Sequence, residues 1–370
     1  MDYHTFLRKI PKVELHLHLG GAVRGATFVE LARKHGVKLP PFDRPEDLWV
    51  FHSIFEYLPI YRQVCETICN REDYHRTTYE ALEDGHADSM RYCEMFWNPH
   101  IAIEKGIGCG EMIDGMIDGI RDAEADFGMQ CRLIADIPLY YNSEQGAELV
   151  KTLLENRREE LIGIGLDYGE LGNPPEKFTK AYHLAREAGL HLTAHTGQIT
   201  PPQNIVTCLD VLGCERIDHG YSVVLDDRIT KRCAEEGIVF TVTPSTTQAG
   251  YFPWDMSKHP IREMVSRGIK VVIGADDPTL AKTTLGHEYA VLADHMGYRP
   301  EDFKRFVLNG IDGAWLDEST KRDWRRRFSE EIDKLTAEIE GVPGLHFELN
   351  RETGSWSLQC SNQPGLEMWA

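Results

Sequence analysis

His16 and His18 stand two residues apart in the segment Pro11–Gly21, PKVELHLHLGG. Side chains in an extended strand alternate with a period of two, so both imidazoles project from one face. Neutral imidazoles side by side in apolar surroundings are natural ligands for a divalent metal, although a hydrogen-bonded core pair shows the same spacing. Three further segments carry the same vocabulary. TAHTGQ offers His195 and Gln198, RIDHG offers Asp218 and His219, and IGADDP offers Asp276 and Asp277. One histidine at the end of an apolar run is ordinarily structural. Four imidazoles and three carboxylates at the ends of four such runs are hard to explain by packing. Three or four N and O ligands with one open position suit Zn2+, which lowers the pKa of a bound water to about 7. Fe2+ and Mn2+ accept similar donors, and availability rather than geometry selects among them.

These segments need a frame that brings their ends to one rim. Runs rich in β-formers cover Val13–Leu19, Tyr92–Trp97, Arg132–Ile137, Leu161–Leu166, His191–Ala194, Arg216–Asp218, Ile238–Thr243 and Lys270–Gly274. Several are almost continuously apolar (LIGIGL, IVFTV, KVVIGA), as in strands covered on both faces. Helical patterns lie between them at 111–128, 144–160, 176–189 and 226–237. Three of these stop at Gly128, Gly189 or Gly237, the residue that best tolerates the left-handed position ending a helix. Eight strand–helix repeats predict an α/β fold, a (β/α)8 TIM barrel, whose active sites gather at the C-terminal ends of the strands. An open doubly wound sheet is the alternative, but no G-x-G-x-x-G follows the first strand. GIGCG near Gly106 lacks the full fingerprint and reads as a loop. The stretch 27–86 is too long for one crossover, and helical patterns at 28–35 and 51–70 predict extra helices after strand one. Leu285–Gly297 and Pro300–Glu340 also read as helices, and the tail from Gly341 as turn-rich. Residues 1–340 therefore read as one barrel domain and 341–370 as a tail.

Composition narrows the partners. The 370 residues hold 40 Lys+Arg against 59 Asp+Glu, a net charge of −19, which lacks the basic footprint that nucleic acid requires. No apolar run approaches the roughly 18 residues of a membrane span. The N-terminal MDYHTFLRKIPK holds no signal-peptide core. Nine cysteines, odd in number and scattered from Cys65 to Cys360, read as reduced thiols in a cytoplasm. A small-molecule substrate is the expected partner.

The motifs occur in a characteristic order: PKVELHLHL (Pro11–Leu19), GIGLDYGELGNPPEKF (Gly163–Phe178), TAHTGQ, ERIDHG (Glu215–Gly220), ADDP (Ala275–Pro278) and NGIDGAWLD (Asn309–Asp317). Over all barrel strands the chain resembles the adenosine/adenine deaminase family of metal-dependent amidohydrolase barrels, and GIGLD…GNPP is similar to the adenine deaminase branch. The resemblance implies one Zn2+ held by His16, His18, His195 and Asp276. It implies that His219 orients and deprotonates the metal-bound water. Asp277 would hydrogen-bond the substrate ring, at N7 for a purine. The reaction implied is hydrolysis of a C–N bond in an amino-substituted heterocycle, with ammonia or an amine leaving.

Two positions depart from that pattern. Where the family carries Asp or Glu after His-x-His-x, this chain has Gly20, so the outer pocket is expected to be wider or filled from elsewhere, with tolerance for bulk at the ring edge facing it. Where the family carries the Glu that protonates N1 as water attacks C6, this chain has Gln198. An amide cannot shuttle a proton at any relevant pH. General acids contribute about 10²–10⁴ in rate, so slow turnover of adenine and adenosine is expected. Gln198 then reads as a replaced Glu that traps a ligand, as a residue matched to a substrate needing only a hydrogen bond, or as the mark of a barrel that binds a nucleobase-like ligand without turnover. A non-purine substrate fits the second of these readings as well. The resemblance also brings the Gly169 amide to the purine edge, whereas Tyr168 reads equally as a stacking ring or as wall packing. Trp49, Phe51, Phe55 and Tyr61 read as core more readily than as a pocket cover. TPSTTQ (Thr243–Gln248) reads as hydroxyls that satisfy a turn. His86, His100, His259, His287 and His295 have no strand-end context and read as structural or exposed.

Overall fold

The computed structural model describes residues 1–246 and 256–340, together with the backbone of 345–349 and 356–360. Each expected apolar run forms a strand: β1 (Lys12–His18), β2 (Met90–Trp97), β3 (Gln130–Pro138), β4 (Leu161–Asp167), β5 (His191–Leu192 and His195–Thr196), β6 (Arg216–His219), β7 (Val239–Val242) and β8 (Lys270–Ile273). All pairs are parallel and follow chain order. β5 is interrupted at Thr193–Ala194. Its first half pairs with β4 and its second with β6. The ring closes where the end of β8 meets β1: His18 N donates to Asp276 O and Asp276 N to His16 O, both at 2.8 Å. Leu17 and Asp276 form the accompanying parallel bridge.

Helices fill the crossovers. After α1 (Tyr3–Lys9), the long first connection holds α2 (Gly25–His35), α3 (Ile54–Cys65) and α4 (Arg71–Ala87). Then follow α5 (Cys109–Phe127), α6 (Ser143–Glu155), α7 (Thr179–Glu187) and α8 (Asp227–Glu236), with short helices at Pro202–Thr207 and Ile261–Ser266 in the remaining crossovers. Gly128 and Gly237 end α5 and α8 at φ 68° and 69°. Each is the left-handed residue that only glycine adopts without strain.

Boundaries differ from the sequence reading in four places. The pattern at 144–160 stays helical only to Glu155, because Asn156 leaves helical geometry and turns its side chain back to the Thr152 carbonyl. The pattern at 51–70 forms α3 alone. Residues 300–340 form two helices, α10 (Pro300–Gly313) and α11 (Glu318–Ala337), after α9 (Leu285–Met296). Asp317 sets the break by accepting from Ser319 N and Thr320 N, an N-cap that starts a new helix. The tail, read as turns, contains an antiparallel pair, β9 (Leu345–Leu349) with β10 (Trp356–Cys360). No helix among the described residues is long and apolar enough to cross a membrane. All eight cysteines described are free thiols.

A buried ion pair lies inside the barrel. Glu94 on β2 pairs with Arg216 on β6, both fully buried, and the Trp315 ring lies 4.0 Å from the guanidinium carbon. Glu94 also accepts from Tyr92 Oη at 2.9 Å and Trp315 N at 2.6 Å. Removing one partner of such a pair strands the other charge in the core. Glu94→Ala should therefore cost about 3–5 kcal/mol of stability, read as a lowered urea midpoint. A midpoint within error of the parent would show that Arg216 finds other partners.

Candidate active site

β1 carries His16 and His18 to the C-terminal mouth, the second half of β5 carries His195, β6 carries His219, and the residue that closes the ring is Asp276. Ring centroids lie 5.4 Å apart for His16–His18, 4.7 Å for His16–His195, 5.0 Å for His18–His195 and 4.6 Å for His16–His219. His18 Nε2 is 3.0 Å from His195 Nε2 and 3.4 Å from Asp276 Oδ1, and His16 Nε2 is 3.3 Å from the same oxygen. Ligand atoms of His16, His195, His219 and Asp276 all lie within 4.8 Å of one another. His219 and Asp276 hold left-handed backbone (φ 65° and 59°), a strained state for side chains other than glycine.

The outward nitrogens determine what the inward ones offer. His16 Nδ1 lies 2.7 Å from Thr241 Oγ1, and that hydroxyl gives its single hydrogen to Asp218 Oδ1 at 2.8 Å. His16 Nδ1 must then donate, which leaves a lone pair on Nε2, an atom that is buried without a hydrogen-bond partner. His18 Nδ1 faces Asp136 Oδ2 at 3.6 Å, and His195 Nδ1 faces Asp218 Oδ2 at 3.8 Å. Carboxylates and hydroxyls behind each ring are how proteins aim metal-ligating histidines. His16, His18, His195 and Asp276 thus fit a divalent ion.

Electrostatics agree with this fit. Burial, then neighbouring imidazoles, holds His18 and His219 well below the usual histidine range and brings His195 down to about 4. Burial pushes Asp276 the other way, but His16, His219 and His18 outweigh it and keep the carboxyl ionised. Neutral imidazoles and an anionic carboxylate are the ligand states that metals require.

Beside the cluster opens a cleft of about 60 Å³. Its walls include His18, His195, His219, Asp276, Gln198, Asp277, Tyr168, Asp167 and Thr246. Its cover is one face of α3, namely Ile54, Tyr57, Leu58 and Tyr61, at the i, i+3, i+4, i+7 spacing that aligns helical side chains. Tyr61 is therefore cover as well as core. Trp49 packs on Phe28 at 5.1 Å and Phe51 on Tyr57 at 5.0 Å, as core aromatics do, while Phe55 is 73% exposed. No Lys or Arg lines the cleft among the described residues.

Gln198 sits on a turn held from below by Glu170. Gln198 N donates to Glu170 Oε1 at 3.0 Å, and Thr200 Oγ1 donates to Glu170 Oε2. Burial raises the Glu170 carboxyl, opposed by these bonds. Tyr168 presents its ring to the cleft at φ 69° and packs edge-on against Tyr61, His100 and Tyr140. Asp277 is raised by burial and then by Asp276. Gly169 does not line the cleft; it lies half-buried in the loop after β4, with its carbonyl accepting from Asn173 Nδ2 at 2.8 Å. Gly20 gives no widened pocket. A Cβ there would overlap Cys65 Sγ and lie 3.0 Å from the Tyr61 ring, so these two side chains fill the space and leave none for bulk. Thr243 joins the His219–Asp276 network at 3.3 and 3.1 Å. Thr247 and Gln248 of TPSTTQ lie outside the described residues.

Three acids escaped the sequence reading: Asp136, Asp167 and Glu170. Asp136 and Asp167 end β3 and β4, and their ligand atoms lie within 4.8 Å of each other and of His18. Asn98 Nδ2 donates to Asp167 Oδ2 at 2.5 Å, and Tyr61 Oη donates to Asn98 Oδ1 at 2.5 Å. A signal was present, since ADIP and GLDY end strands as IDHG and ADDP do.

Imidazoles and a carboxylate converging on the mouth of a closed parallel barrel define the class: a metal-dependent hydrolase acting on C–N bonds. Within it, the chain belongs to the adenosine deaminase family, whose model matches residues 11–334. It is 29% identical to an adenine deaminase of Cupriavidus metallidurans, over 91% of this chain and 94% of that one. An amidohydrolase from Burkholderia ambifaria, solved with bound zinc, superposes with a TM-score of 0.85 at 38% identity, covering 90% of this chain and 94% of its own. The adenine deaminase of Arthrobacter aurescens gives 0.83 at 28%, covering 88% and 99%.

Two outcomes follow from this geometry. Thr241→Val removes the acceptor that sets the His16 tautomer and should weaken metal affinity roughly 10–100-fold in chelator competition. Gly20→Glu should cost about 1–3 kcal/mol in thermal unfolding, because Cys65 and Tyr61 occupy the space it needs. An equally stable Gly20→Glu protein would mean that α3 moves aside freely.

Proposed function

We propose that the chain deaminates an amino-substituted, purine-like heterocycle, with one Zn2+ as its cofactor. The observation that carries this reading is the convergence of His16, His18, His195 and Asp276 beside a cleft walled by Gln198 and Asp277. The adenine deaminases and the zinc-bearing amidohydrolase among its relatives support it. A divalent ion held by those four residues would supply Lewis acidity, making water nucleophilic near neutral pH.

The remaining steps belong to side chains. His219, neutral and next to the ligand cluster, takes a proton from the attacking water and returns it to the departing amine. Asp277, raised by burial, presents a carboxyl to a ring nitrogen. Gln198 hydrogen-bonds the ring but has no proton to give. Tyr57, Tyr61 and Tyr168 wall the reacting carbon off from bulk solvent, which strengthens each polar contact inside. We assign residues 1–340 to one catalytic unit, and the free thiols support a cytoplasmic setting.

Purified protein should carry about one equivalent of divalent metal, and His16→Ala should lose most of it. An ammonia-release screen across aminoheterocycles should find a substrate whose turnover falls with that metal content. Full metal loading in His16→Ala would defeat the site assignment, and ammonia release indifferent to metal would defeat the mechanism.

A further inference from the structure

The cleft gathers buried carboxyl groups with no basic side chain among its described lining residues. Asp167, Asp276 and Asp277 line it, and Asp136 lies directly behind, within 4.8 Å of Asp167 and His18 in its ligand atoms. Asp136 occupies room left by Gly165, where a Cβ would overlap Asp136 Oδ1, so β4 is shaped around this acid. Both Asp136 oxygens, Asp167 Oδ1 and Asp277 Oδ1 are buried without a hydrogen-bond partner. A divalent ion held by Asp276 and the histidines would leave the unpartnered oxygens of Asp136, Asp167 and Asp277 unanswered. Buried carboxyl oxygens without partners are costly, and a ligand that is cationic or rich in N–H donors satisfies them.

Gln198 adds an independent constraint. When water adds to the amino-bearing carbon of a neutral ring, the C=N electron pair moves onto the ring nitrogen and makes it an anion that needs a proton. The amide cannot supply one. A ring nitrogen that is alkylated and positive has no such need, because the same electron pair simply neutralises it.

We propose that the preferred substrate is a cationic cyclic amidine, an aminoheterocycle alkylated on the ring nitrogen beside the reacting carbon. This rests on the deaminase reading above and narrows its substrate class. Water oxygen bonds to the carbon, and the C=N pair returns to the alkylated nitrogen. His219 accepts one water proton and delivers it to the amino group. The C–N bond to that group then breaks, and the second water proton passes by way of His219 to the departing ammonia, giving a neutral lactam. The sum is cation plus water to lactam plus ammonium, balanced in atoms and charge. Tyr57, Tyr61 and Tyr168 suit such a ring, since aromatic faces attract cations.

The test compares adenine with 1-methyladenine on the metal-loaded, full-length protein, at a pH where the methylated base is a cation. We expect kcat/KM for 1-methyladenine to exceed that for adenine by about 100-fold or more, the size of a missing general acid. Gln198→Glu should narrow that ratio by raising adenine turnover, and Asp167→Asn should narrow it by lowering 1-methyladenine turnover. Equal or faster use of adenine by the unmodified protein overturns the inference and leaves the deaminase reading standing. If neither base releases ammonia, the deaminase reading loses its support and calorimetry decides the charge preference: tighter binding of the cation supports it, and equal or weaker binding overturns it.

Discussion

Two backbone hydrogen bonds, from His18 N to Asp276 O and from Asp276 N to His16 O, join the last strand to the first. They close the barrel, and they also set Asp276 beside His16 and His18 of the adjacent strand. A barrel strand alternates inward and outward side chains, so a register slip of one residue would turn His16 and His18 out of the mouth together. The seam therefore couples folding to the site: the ring cannot close in register without bringing Asp276 Oδ1 within 3.4 Å of both histidines. Left-handed backbone at Asp276, and likewise at His219 and Tyr168, costs about 1–3 kcal/mol per residue. All three sit at strand ends on the same rim. Closure holds that strain in place, and the strain points side chains across the mouth that ordinary strand geometry would send along it.

The closed ring also divides its ionisable groups between its two ends. At the N-terminal end Arg216 answers Glu94. At the C-terminal end four carboxyl groups meet four imidazoles, and no Lys or Arg lines the cleft among the described residues. Low dielectric magnifies this difference, since an unanswered polar group costs far more there than in water. The polar groups behind the histidines aim the rings. Thr241 and Asp218 set the His16 tautomer, and Asp136 stands behind His18. The mouth thus gathers its polar groups where a ligand entering the cleft meets them.

How legible this was in the sequence depends on range. Strands β1–β8 were readable because parallel strands buried on both faces leave apolar runs, and turn glycines mark where crossovers end. His16, His18, His195, His219, Asp276 and Asp277 were readable because each follows such a run. Asp136 and Asp167 follow runs too, but a lone carboxylate after a strand carries little signal until its neighbours across the sheet are known. Glu170 was hidden for a different reason: its partners are backbone amides near Gln198, which no side-chain pattern records. The misjudged pieces depend on contacts distant in sequence. Gly20 reads as lost volume until Cys65 and Tyr61, more than forty positions on, are seen to fill it. Tyr61 reads as core until α3 is seen to lie across the cleft.

Gln198 is where local and distant constraints meet. Its position is fixed with some care: Glu170, buried at the end of the β4 loop, accepts from its amide and from Thr200, so the turn is pinned from beneath. Such an anchor has a cost, because burying a carboxyl raises its pKa and weakens the fold wherever that group must ionise. A turn held in this way presents a defined side chain to the cleft, and that side chain is an amide. An amide offers one acceptor and two donors in a fixed plane, which rewards orientation rather than proton transfer. The anchoring and the amide together describe a ring held in one pose, with the proton inventory of the reaction settled elsewhere, either by the substrate's own charge or by His219. A carboxyl at the same place on the same rigid turn would add one more acid to a mouth already holding four. Gln198 adds no further acid to that mouth.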